Sequence, residues 1–173
     1  TAMMEIDIHA MKKSLEEHGQ VKAASVERQF PDKLKITIEE WSPVLRMRVA
    51  GADGSPALRL VSREGTLYEG VGYPSDVLEN LPYVIPYRRP GGRILPMQGI
   101  ERVADLLEIA QRAQPEFYKT WKLVSLVNYT GDPDMPGEVI EVRSTAVPRL
   151  IFGLSLPFAQ QLDRLAGVMQ HVQ

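Results

Sequence analysis

The chain has 173 residues, enough for one sizeable domain or two small ones. Its 44% hydrophobic and 24% charged residues are an ordinary globular composition, and 20 Lys and Arg against 22 Asp and Glu give a net charge of −2, without the basic surplus that a phosphate-gripping nucleic-acid binder needs. The absence of cysteine excludes disulfides, zinc–thiolate centres and thiol nucleophiles, and no apolar run is long enough to span a bilayer.

Asp7 can cap a helix that starts at Ile8, because its carboxylate can accept an orphan backbone N–H. Ile8, Met11 and Leu15 then share one face, Lys12, Lys13, Glu16 and Glu17 lie outside, and Gly19 is a natural stop. Ala24, Val26 and Phe30 share a parity, and Leu34, Ile36 and Ile38 alternate with Lys35, Thr37 and Glu39. Period-two alternation marks strands with one buried face, and Pro31-Asp32 between them is turn chemistry. The opening unit therefore reads helix, strand, turn, strand. Pro43 ends or bends its second strand.

Further strands are expected over 44–49 and 58–62, with a tight turn at Glu64-Gly65 and a short return over 66–68. Prolines crowd the next stretch, which reads as a short helix over 75–81 and irregular chain to Pro96. Ile100, Val103, Leu106, Leu107 and Ala110 form a helical stripe, and Pro115 opens a second helical piece. Strands over 123–129, 139–143 and 149–152 follow, the first two joined by a polar loop over 130–137. A final helix over 157–172 carries the seam Phe158, Leu162, Leu165, Met169 and Val172. A composition shift between 42 and 50 places a boundary there, so residues 1–43 and 44–173 are expected to be separate units.

Little in this order of residues points to catalysis. His9, His18 and His171 stand without metal-ligand spacing and read as surface histidines. Asp132, Asp134 and Glu138 suggest a calcium loop, but Pro133 and Pro136 interrupt the pattern and a polar hairpin loop fits better. Arg88 to Arg93 reads as an exposed basic loop, with an anionic partner as the alternative. Asn128-Tyr129-Thr130 is a glycosylation sequon by pattern alone. Asp105 and Glu108 read as solubility charges on a helix, and Glu39 and Glu40 point to opposite faces of a strand. Trp41 and Trp121 read as junction packing rather than exposed anchors. No catalytic, cofactor-binding or metal residue is therefore expected.

Residues 8–16, followed by Val21, Ala24, Val26, Arg28, Pro31, Leu34, Ile36, Ile38 and Glu40 and then Pro43-Val44, resemble the POTRA domain of the FtsQ/DivIB family of bacterial cell-division proteins. In that family a helix leads into V-x-x-A-x-V-x-R-x-x-P-x-x-L-x-I-x-I-x-E and then P-V. Residues 60–68 are similar to the family's l-V-D-x-x-G-x-v-f turn, with Ser62 where aspartate is usual, and residues 151–153 and 161–165 are similar to its β-rich second domain.

The resemblance implies an α+β fold: a truncated POTRA-like α-β-β unit over 1–43, then a mixed β-rich FtsQ/DivIB-like domain with two helices over 44–173. It implies a non-enzymatic divisome scaffold that binds FtsB- or FtsL-like proteins by β-strand addition. It also implies a single membrane span N-terminal to these residues in the inner membrane, with this region on the periplasmic side. POTRA domains open with a strand and a helix that precede the first helix read here, and family members continue beyond the last helix into a strand pair whose edge takes a strand from FtsB. Without the opening strand, Leu34, Ile36, Ile38 and Glu40 are the candidate edge for a partner, or for a second copy in a strand-paired dimer. The alternative function is a POTRA-like module of an outer-membrane assembly or secretion protein, and a small-ligand or hydrolytic domain near Arg88 is a third reading.

Overall fold

A computed structural model of the protein describes residues 2–88 and 97–171. A one-turn helix α1 (Ala2–Glu5) precedes α2 (Ile8–Glu16). Asp7 starts α2 as expected: its carboxylate accepts from the N–H groups of His9 and Ala10, both at 3.0 Å. The helix ends at Glu16 with Glu17 as its right-handed cap, so Gly19 is not the stop.

Strands β1 (Val21–Gln29) and β2 (Lys33–Glu40) form an antiparallel two-stranded sheet around a turn at 30–32. Ala24 lies opposite Ile38, Val26 opposite Ile36 and Arg28 opposite Leu34, which puts the apolar alternation of both strands on one face. Phe30 belongs to the turn, not to the buried parity, and is 75% exposed.

The remaining strands are β3 (Pro43–Ala50), β4 (Pro56–Ser62), β5 (Leu67–Tyr68), β6 (Tyr83–Ile85), β7 (Trp121–Ser125), β8 (Val139–Ser144) and β9 (Leu150–Gly153). They form a seven-stranded sheet in the order β5-β4-β3-β6-β7-β8-β9, parallel at β3–β6–β7 and antiparallel elsewhere. The helices are α3 (Ser75–Glu79), α4 (Ile100–Ala113), α5 (Pro115–Tyr118) and α6 (Phe158–His171). Helices with mixed sheets make this an α+β protein. Residues 44–173 hold four described helices, the long pair α4 and α6 and the short α3 and α5, at the four places read from the sequence.

One face of the sheet carries Leu45, Met47, Val61, Val84, Val124, Ile140, Val142, Leu150 and Phe152, and α4 and α6 close it with Val103, Leu106, Leu107, Phe158 and Leu162. The other face is covered at Leu60, which is buried, and elsewhere shows Arg48, Leu58, Ile85 and Ile151 to solvent. A register shift between Trp121 and Leu123 turns the indole into the core, against Phe117, Tyr118 and Phe152. Gly99 and Gly131 both have left-handed backbones, and a Cβ on Gly131 would sit 2.0 Å from the Gln98 carbonyl oxygen. That contact ties the start of α4 to the β7–β8 loop, helped by the Tyr129 hydroxyl donating to Gly99 O at 2.7 Å.

Several expectations need correction. Residues 83–85 are not irregular chain. They form β6, a parallel strand in the middle of the sheet, which is only three residues long and framed by Pro82 and Pro86. The strand expected over 123–129 starts at Trp121 and ends at Ser125, after which Leu126 to Tyr129 turn. Helix α3 stops at Glu79, short of Leu81. In α6 Phe158 and Leu162 are buried but Leu165 and Met169 are only half-buried, and Val172 lies outside the described residues.

Candidate functional site

The candidate edge is built from residues 33–40. On the shared apolar face of the hairpin, α2 covers the β1 side: Ala24 is buried, and Met11 and Leu15 are half-buried above it. The cover does not reach across to β2. Ile36 is 47% and Ile38 46% exposed, while Leu34 is half-buried. Isoleucine exposed to that extent on a strand leaves an apolar surface in contact with water.

The two edges of the hairpin differ as well. Glu16 on α2 accepts from the Ala24 N–H at 3.1 Å and occupies one donor on the outer edge of β1. Among the described residues the β2 backbone pairs with β1 alone. Strands with an unpaired ladder are templates for another strand. On the opposite face Lys33, Lys35 and Glu39 alternate outward, charges that discourage a second sheet from stacking there.

The base of the hairpin is clamped to the larger sheet through polar contacts. Gln20 donates to Glu40 at 3.2 Å and accepts from the Val71 N–H at 2.7 Å. Lys22 pairs with Glu39 and with Glu64, each at 3.1 Å, and its ammonium lies 5.6 Å from the Trp41 ring centroid. The Glu39 carboxylate, then Glu64, raises the pKa of Lys22 above the usual lysine value. The Trp41 carbonyl accepts from both the Tyr68 and Tyr73 hydroxyls, at 3.2 and 3.0 Å. Burial, and the bond to Tyr73, push the Tyr68 phenol well above its ordinary range, so it stays a donor. Trp41 therefore sits at the junction, while Trp121 lies in the core. Lys22 and Glu64 are 42 positions apart, and no local pattern marks them as partners.

The remaining sequence candidates disperse. His9, His18 and His171 are exposed, and among the described residues no three His, Asp or Glu side chains are grouped closely enough to hold a metal ion. Glu138 is buried and accepts from the backbone and hydroxyl of Thr130, and Asp132 accepts from the Asp134 N–H at 3.0 Å, so the 130–138 segment is a self-bonded hairpin loop. Asp105 and Glu108 do more than add solubility, because Arg63 beyond β4 pairs with both. Asn128 is exposed. Of the basic loop, only Arg88 is described, and 89–93 lie outside the described residues. No described helix is long and apolar enough to cross a membrane.

Comparison with known families bears on the N-terminal residues. Residues 1–41 match the POTRA domain, FtsQ-type. The chain is also 34% identical over 65 residues to the cell division protein FtsQ of Hahella chejuensis, a match that covers 38% of this chain and 23% of that protein. Together these matches support an FtsQ/DivIB-family protein and agree with the resemblance carried by Val21 through Val44. The aligned part is less than a quarter of the relative's length.

Proposed function

We propose that this chain is an extracytoplasmic scaffold region of a cell-division protein and that it works by lending strand β2 to a partner. Residues 1–43 would be the docking unit and residues 44–173 the β-rich body that carries it. The observation that supports this reading is the asymmetry of the hairpin: β1 has α2 and Glu16 against it, whereas among the described residues β2 pairs with β1 alone and Ile36 and Ile38 are nearly half exposed. Added backbone hydrogen bonds would supply affinity, and alternate side chains would choose the partner. The partners are the extracytoplasmic segments of FtsB- or FtsL-like division proteins. A membrane span N-terminal to these residues anchors the protein in the inner membrane, with the domain in the periplasm. No bond is made or broken in this mechanism.

The test is titration of the chain with such a segment, read by calorimetry, on wild type and on Ile36→Asp and Ile38→Asp. A charge at either position is expected to weaken binding by about tenfold or more, since each tenfold step is about 1.4 kcal/mol. Sedimentation velocity tests the same edge for a second copy: a dimer that both substitutions abolish would make this chain its own strand donor. Partner binding unchanged in both variants contradicts the proposal.

A further inference from the structure

A second surface, on the larger sheet and remote in sequence from the hairpin, carries its own signal. Strand β3 runs to Ala50, but its pairing with β6 is confined to Arg46 opposite Tyr83. Beyond that point the two parallel strands part, and a cavity of about 370 Å³ opens between them, lined by Met47, Arg48, Tyr83, Ile85, Arg88 and Leu123 among others.

The two charged residues that line this cleft, Arg48 and Arg88, are both cationic. The guanidinium groups of Arg46 and Arg48 lie 4.0 and 4.8 Å from the centroid of one ring, Tyr83. Arg48 also donates to the Tyr83 hydroxyl at 3.3 Å, and Arg46 to the Glu79 carbonyl at 3.3 Å. The Arg46 Nε is buried with no hydrogen-bond partner. No carboxylate lines the cleft, and among the described residues Arg46, Arg48 and Arg88 form no ion pair, a condition they share with Arg28 and Arg102, which bond only backbone carbonyls; what sets Arg46 and Arg48 apart is their shared stacking on Tyr83. Arginines stacked on an aromatic ring and left without counter-ions are held ready for an anion, because their planar donors are already fixed in place.

We infer that the β3–β6 cleft binds an extended acidic segment of a partner protein. The arginines would take its carboxylates, Ile85 and Leu123 would take its alternate apolar side chains, and the parted strands leave room for its backbone. The apolar lining beside the arginines favours a peptide over an isolated phosphate, which would use the arginines alone. This surface is separate from the β2 edge, so the two proposals can fail independently.

The experiment uses a fluorescein-labelled peptide alternating glutamate with valine, its glutamine counterpart, and vesicles of phosphatidylglycerol. The proteins are wild type, Arg48→Glu and Arg88→Glu, with circular dichroism checking that each is folded, together with Ile38→Asp as a control for the hairpin edge. The acidic peptide is expected to bind wild type, to shift the amide resonances of Met47, Arg48, Val84 and Ile85, and to weaken as salt rises. Its affinity should fall by about tenfold in both arginine variants and stay unchanged in Ile38→Asp, and the glutamine peptide should bind about tenfold more weakly than the acidic one. Any of three results overturns the inference: equal binding of the two peptides, no binding of either, or vesicle binding that depends on Arg48 while the acidic peptide is ignored.

Discussion

The hairpin and the larger sheet are built from the same alternation of apolar and polar residues, yet they end in different states. In β8, Ile140 and Val142 are fully buried under α4 and α6, while in β2 their counterparts Ile36 and Ile38 stay nearly half exposed. The strands do not differ in propensity, since both are rich in β-branched residues. What differs is the cover. Two long helices close one face of the larger sheet, and a nine-residue helix covers only the β1 half of the hairpin. A pair of strands alone is marginal in water, so the hairpin depends on α2 and its junction contacts more than the larger sheet does.

Core truncation should separate the two regions most sharply. Ile140→Ala is expected to cost about 2–5 kcal/mol in urea unfolding, and Ile36→Ala or Ile38→Ala about 1 kcal/mol or less. Equal costs would break the comparison. Gly131→Ala comes next, at about 1–3 kcal/mol, because it forces a Cβ onto the Gln98 carbonyl at a positive φ. A melting temperature unchanged by Gly131→Ala would show that the α4 tie is not what it looks like.

Tyr73→Phe removes one of the two donors to the Trp41 carbonyl and should cost about 0.5–1.5 kcal/mol. Its signature is local: faster hydrogen exchange at the base of the hairpin, with β7 and β8 unchanged. The smallest effect belongs to Asp7. The Ala10 N–H, then burial acting in the opposite sense, then the His9 N–H, leave its carboxyl below the ordinary value of 3.8. A lowered folded pKa means that the cap contributes above pH 3.8 and is lost as pH falls through the folded value. Carbon chemical shifts of α2 should therefore report fraying in acid for wild type and no such step for Asp7→Asn, which caps without titrating.

These features were legible in the sequence to unequal degrees. Asp7, the alternation through Ala24 and Ile38, and the stripe from Ile100 to Ala110 are local patterns, and each became the element expected. Strand β6 was not legible, because a short central strand between two prolines shows no alternation and its support comes from β3 and β7, far away in sequence. The half-covered end of α6 was hidden for a related reason: a periodic seam shows which face is apolar but not what lies against it. At the candidate site, Leu34, Ile36, Ile38 and Glu40 could be named from parity. The clamp of Gln20, Lys22, Glu64, Tyr68 and Tyr73, and the unpaired arginines around Tyr83, come from contacts between distant segments and have no local signature.

The decisive measurement is residue-resolved hydrogen exchange across Lys33 to Glu40, with and without an FtsB- or FtsL-like segment at saturation. If β2 lends its edge, alternate amides of that strand will gain protection on binding while those of β9 at the far edge of the larger sheet keep their free rates. Protection confined to β9 or to the helices, with β2 unchanged, would contradict the account.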